Sequence, residues 1–199
     1  MSEIKLFNKW SFEGLKMKDP GIADYVSIVP VIVPRTSGKY ANTQFYKSKM
    51  SVVERLMTKL FVPGHRGKKH KMTSGRNVGK TQNSANIVKE AFEIIEKKTQ
   101  KNPIEVLLTA IENAAPLEEA ISYQRGGIFV REGVITSPQR RVDLALKHIA
   151  QGTQTKSRSN KRTAGEALAE EIMAAAKGDA ASFAYSEKMR REKEASGAR

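Results

Sequence analysis

From residue 50 onward the sequence is cut into amphipathic stretches by clear stop signals, and this punctuation limits the fold more than any other feature. Val53, Leu56, Met57, Leu60 and Phe61 recur at helical spacing, with Ser51 and Glu54 placed for a capping box and Pro63-Gly64 as the stop. A second stripe holds Ile87, Val88, Ala91, Phe92 and Ile95. A third opens with Asn102 as N-cap, Pro103 in the first turn and Glu105 at the capping-box position, carries Val106, Leu107, Ala110, Ile111 and Ala114, and stops before Pro116. Between Leu117 and Thr136 the period falls to two. Ile121 and Tyr123 alternate with polar residues, Gly126-Gly127 supplies a tight turn, and Ile128–Ile135 is β-rich, which predicts a hairpin. Ser137-Pro138 starts a fourth helix that buries Val142, Ala145, Leu146 and Ile149 and closes at Gly152. Thr163 and Glu166 form a capping box for a fifth, lined by Leu168, Ala169, Ile172, Met173 and Ala176 and ended by Gly178. Asp179 caps a sixth, with Phe183 and Met189 as its larger apolar residues and Arg190–Glu194 fraying into solvent. The expected fold is mainly α: a six-helix bundle, residues 51–199, with a protruding two-stranded β-ribbon at about 117–136. Residues 1–50 lack sustained periodicity. They read as an irregular extension, with a turn at Asp19-Pro20-Gly21 and an extended run Val26–Val33, wrapping either a partner or the surface of the domain.

Charge is distributed very unevenly over this frame. Between Arg35 and Thr81 stand twelve Lys or Arg and one acid, Glu54, a local net of +11. Pro138–Arg162 holds seven bases against Asp143 alone, a net of +6, so nearly all of the chain's +14 lies in two segments. Charge so concentrated repels itself until a polyanion neutralises it, and a nucleic-acid backbone is the commonest one. There is no Cys, which excludes disulfides and thiolate metal sites. Met1–Trp10 does not read as a signal peptide, and the most apolar run, Tyr25–Val33, is short and broken by Pro30, so a soluble, intracellular protein without a membrane span is expected.

Candidate chemistry is thin. Gly75–Thr81 resembles a phosphate-cradling loop, but it has three residues between its glycines where that loop needs four, and no apolar strand precedes it. His65 and His70 lie among lysines, a poor setting for a metal, and His148 on the fourth helix reads as a boundary or RNA-facing residue. No catalytic constellation, metal site or cofactor is expected. Arg140 and Arg141 stand in the first turn of the fourth helix, at the positive end of its dipole, which favours an anion docked there and otherwise leaves the pair unfavourably placed. At the hairpin tip, Tyr123 and Phe129 serve equally well as stacking platforms for bases or as core if the ribbon folds back.

Taken in order, Ile4–Ser11, Val53–Leu56, Asn102–Leu107, Ala110–Pro116, Ser137–Val142 and Ala164–Gly178 closely resemble the universal small-subunit ribosomal protein seven family in its archaeal and eukaryotic branch. The loop His65–Asn83 departs, being longer and more basic. The resemblance implies a cytoplasmic constituent of the small ribosomal subunit, without cofactor, that binds the 3′ major domain of its rRNA and organises head assembly. Its ribbon would lie near the exit-site tRNA and the mRNA exit channel, beside neighbouring head and platform proteins. Carried over by position, the ribbon residues Tyr123, Gln124, Arg125, Gly126, Gly127 and Phe129 would face that channel. The rRNA phosphates would be held by Arg35, Lys39, Lys47 and Lys49 in the extension and by Arg66, Lys68, Lys69, Lys71, Arg76 and Lys80 in the loop. Arg140, Arg141, Lys156, Arg158, Lys161 and Arg162 would hold others around the fourth helix. The rival readings are a DNA-binding helical regulator, which needs base-reading side chains on a recognition helix, and a nucleotide-dependent enzyme built around Lys80.

Overall fold

The structure, a computed structural model, describes residues 4–65, 75–158 and 160–198. Six substantial helices follow the predicted punctuation: α2 (Val52–Lys59), α3 (Thr81–Thr99), α4 (Pro103–Ala114), α5 (Pro138–Ser157), α6 (Ala164–Lys177) and α7 (Phe183–Ser196). A short helix, α1 (Pro20–Ala23), lies in the N-terminal segment at the expected turn. Between α4 and α5 the chain makes an antiparallel ribbon, β1 (Glu118–Arg125) and β2 (Ile128–Ile135), in register from Glu118 opposite Ile135 to Arg125 opposite Ile128. Gly126 and Gly127 both take positive φ, 56° and 86°, as the two-residue hairpin turn requires.

Alanine-rich α6 sits at the centre, packed on α3, α4, α5 and α7, because its small side chains let neighbouring backbones approach closely. Phe92, Leu56, Ile95, Ile104, Leu107, Ile111, Leu146 and Ile149 are fully buried together with Leu168 of α6 itself, each contributing about 1.5–3 kcal/mol relative to exposure. The N-terminal segment belongs to the same core. Leu6, Trp10, Phe12, Ile22 and Val26 are buried, Trp10 packs edge-on against Phe92 at 5.5 Å, and its indole N–H donates to Glu96 at 3.0 Å. Asn102 donates to the Ser11 carbonyl at 2.8 Å, and Arg55 to that of Tyr25 at 2.6 Å. The segment therefore wraps the domain itself.

Several local expectations are corrected. Thr163 and Glu166 do form a reciprocal capping box, and Asn102 caps α4. Ser51 and Glu54 do not. The Ser51 hydroxyl is buried without a partner among the described residues, while Glu54 turns away and accepts from the amide and hydroxyl of Thr36, both at 2.7 Å. A tertiary acceptor role won over the local cap. Gly152 does not end the fourth helix, which runs on to Ser157 and takes Lys156 into α5. Glycine is needed there for close approach, since a Cβ would lie 2.5 Å from the Glu171 carboxyl carbon. Ser182, not Asp179, caps α7, accepting from the Tyr185 amide at 3.2 Å. Nor does α7 fray at Arg190–Glu194, because Arg190 bridges Glu187 and Glu194 and Arg191 reaches Glu119.

Candidate nucleic-acid interface

The excess positive charge falls into three groups once the chain is folded. The first is consumed internally. Asp143, the lone acid of its segment, accepts from Lys47 and from Arg55 at 3.2 Å, with Lys59 at 3.9 Å. Burial pushes its carboxyl up, but the Lys47 hydrogen bond and the charges of Lys59, Arg55 and Lys47 outweigh burial and hold it below the usual range. Arg140 grips Glu119, with one contact at 2.9 Å, and Arg191 reaches the same carboxylate at 3.4 Å. Arg141, its side chain only 9% exposed, bonds Asp19 at 2.7 Å. Lys156 reaches the fully buried Glu171 at 2.7 Å, and Arg162 meets Glu170 at 2.5 Å. Five of the predicted phosphate ligands, Lys47, Arg140, Arg141, Lys156 and Arg162, thus already hold a carboxylate.

A second group, Arg35, Lys39, Lys49, Arg76, Lys80, Arg158 and Lys161, is exposed and has no carboxylate partner among the described residues. These seven are the part of the predicted set that an external anion meets without competition. The third, Arg66, Lys68, Lys69 and Lys71, lies outside the described residues.

The ribbon stands clear of the bundle at its tip. Gln124, Arg125, Gly126 and Gly127 are exposed, with Tyr123 at 39% and Phe129 at 75%, so these rings are not core. The base of the ribbon is what the bundle holds, through Glu119 on β1 and its two arginines from α5 and α7. His148 is not RNA-facing. It is 3% exposed, and its Nδ1 lies 3.2 Å from Gln151 Oε1. Burial, reinforced by the charge of Arg191, lowers its pKa to about 4, so it is neutral at pH 7.

Sequence reasoning also passed over Lys59 and Lys147, which α2 and α5 bring to the walls of a cleft of about 420 Å³ with Val62 and Pro63. Lys59 is pushed below the usual lysine range by burial and by Lys47, Arg55 and Lys147, against the opposing charge of Asp143. Spacing on single helices gives no sign of this pairing. Among the described residues no cluster of His, Asp or Glu could hold a metal ion, and no helix is long and apolar enough to cross a membrane.

These features define a class: a small basic helical protein with unpaired cations on its loops and a projecting, solvent-exposed β-ribbon. The family model for ribosomal protein S7p/S5e matches residues 24–199. The small ribosomal subunit protein uS7 of Nanoarchaeum equitans is 43% identical over 197 residues, covering 99% of this chain and all of the relative. That of Methanococcoides burtonii is 44% identical over 195 residues, 98% of this chain and 99% of the relative. That of Methanococcus aeolicus is 43% identical over 198 residues, 99% and 100%. The chain belongs to the ribosomal protein S7p/S5e family. It is a ribosomal protein and not an enzyme.

Proposed function

We propose that this chain is the uS7 constituent of a small ribosomal subunit in the cytoplasm, where it holds the 3′ major domain of the rRNA and nucleates assembly of the head. The observation that carries the reading is end-to-end identity of 43% with a small ribosomal subunit protein uS7, together with seven exposed cations that lack carboxylate partners among the described residues. Phosphate contact by Arg35, Lys39, Lys49, Arg76, Lys80, Arg158 and Lys161 accounts for charge that folding leaves uncompensated. In this reading Arg66, Lys68, Lys69 and Lys71 supply further phosphate contacts, and the ion-paired set serves RNA indirectly by fixing the loops. The exposed ribbon tip, Tyr123–Phe129, lies near exit-site tRNA and the mRNA exit channel, beside neighbouring head and platform proteins.

The test is crosslinking in lysate followed by sequencing of the attached RNA, paired with a salt titration of the purified complex. Reads should concentrate in the 3′ major domain of small-subunit rRNA. The logarithm of affinity should fall with the logarithm of salt by about 0.7–0.9 per phosphate contacted. Reads scattered over unrelated RNAs, or an affinity indifferent to salt, would remove the proposal.

A further inference from the structure

The segment between Pro34 and α2 carries a feature that phosphate binding does not explain. Phe45 is 63% exposed and Tyr46 40%, side by side at the start of a 3-10 turn, Tyr46–Lys49. Phe45 has φ +65°, in the left-handed region that a bulky side chain occupies only under constraint. The constraint is visible. Ser48 donates both its amide, at 3.1 Å, and its hydroxyl, at 2.8 Å, to the Phe45 carbonyl. Within the turn Lys47 bonds Asp143 on α5, and upstream of it Thr36 bonds Glu54 on α2. The fold thus spends backbone strain to hold an aromatic ring outward on a turn tied to α5.

The surroundings say what such a ring meets. The Lys49 ammonium lies 4.1 Å from the centre of the Tyr46 ring, and Lys39 lies 5.9 Å from that of Tyr40. From Arg35 through Val53 there is no acid at all. An apolar protein surface laid over these rings would strip water from lysines with no local counter-charge. Unpaired nucleotides suit both features, because bases stack on the rings while their phosphates meet the ammonium groups.

We propose that Phe45 and Tyr46, with Lys49 beside the Tyr46 ring, form a stacking platform for consecutive unpaired bases of RNA. This rests on the RNA-binding reading above and adds to it a site that discriminates single-stranded from duplex RNA. Stacking is tolerant of sequence, so the platform reads strandedness and not base identity.

The experiment uses the full chain and three labelled RNAs: a uridine octamer, a perfect duplex of similar length, and a fragment of the 3′ major domain. Phe45→Ala with Tyr46→Ala should weaken octamer binding by on the order of ten-fold per ring, with duplex affinity changed less than about two-fold. Phe45→Leu, which keeps an apolar side chain, should lose most of what Phe45→Ala loses. Phe45→Trp should retain octamer binding and show fluorescence quenching on addition of the octamer but not of the duplex. Trp10, only 3% exposed, stays silent in that assay. Because both rings are exposed, thermal melts of the variants should match the unmodified chain, and if the alanine pair does not fold, the Phe45→Trp quenching decides alone. Equal loss on octamer and duplex, or absence of quenching, overturns the platform. Full RNA binding by the alanine pair also overturns it and assigns the rings to a protein neighbour. If the unmodified chain binds none of the three RNAs, the proposed function falls as well. If it binds the domain fragment while the rings prove immaterial, only the platform falls.

Discussion

Gly152→Ala offers the sharpest test of how this bundle is held, because two effects of opposite sign meet there. In the interior of a 20-residue helix, alanine is intrinsically favoured over glycine by about 1 kcal/mol, and on sequence alone the change should stabilise. The structure reverses the sign. The new methyl carbon would stand 2.5 Å from the Glu171 carboxyl carbon and 2.7 and 2.8 Å from its two oxygens. A flexible carboxylate would swing aside, but this one is fully buried and pinned. It accepts from the Ser182 hydroxyl at 2.8 Å and the Ala184 amide at 2.9 Å, and Lys156 stands 2.7 Å away. Moving it breaks at least one hydrogen bond to a buried charge, about 1.5–3 kcal/mol. Residual crowding adds roughly 1–3 kcal/mol. Set against the propensity gain, the net is a destabilisation of about 1.5–5 kcal/mol. For a chain of this size that lowers Tm by about 3–20 °C, readable by calorimetry or by helical circular dichroism on the RNA-free protein. A Gly152→Ala protein as stable as its parent would refute the pinned-carboxylate account and leave Lys156 available to RNA after all.

Three further outcomes follow from the same geometry. Ser51→Ala should lower stability by less than the roughly 1 kcal/mol of a lost N-cap, because its hydroxyl has no partner among the described residues, whereas Glu54→Ala, losing both Thr36 contacts, should be clearly destabilising. Arg141→Ala should destabilise the free protein by about 1–3 kcal/mol and Arg140→Ala by less, since Arg191 still serves Glu119, which reverses the expectation that these arginines are unfavourably placed without an anion; equal stability of parent and variants in a denaturant titration would restore that expectation. His148, titrating near 4 when folded against 6.5 when unfolded, binds its proton more readily in the unfolded chain, so stability is full above pH 6.5 and falls as pH drops toward 4. At about 1.4 kcal/mol per unit that loss is about 3 kcal/mol, and a pH series of melts on His148→Gln should lack it.

The order of elements was legible because helix and hairpin information is local. Apolar residues at a spacing of three and four, Pro103 after Asn102, Thr163 before Glu166, and paired glycines at a turn each act within a few residues of themselves. Family membership was legible for a related reason: the motifs survive as strings. Where reading failed, a distant group had intervened. The Ser51 capping box lost Glu54 to Thr36, Gly152 was read as a stop because Glu171 is invisible from α5, and α7 was expected to fray because Glu119 lies on another element.

The same division governs the candidate interface. The sequence by itself determined how much positive charge there is and which segments carry it, since net charge needs no fold. Only the tertiary structure decided which cations remain for an external anion. Arg141 meets Asp19 from 122 residues away, Lys47 meets Asp143 from 96, and such pairings depend on three-dimensional packing that no local pattern encodes. Counting charges overstates an RNA-binding surface for that reason, because the fold pairs some cations with its own acids at short range and presents the remainder on its loops.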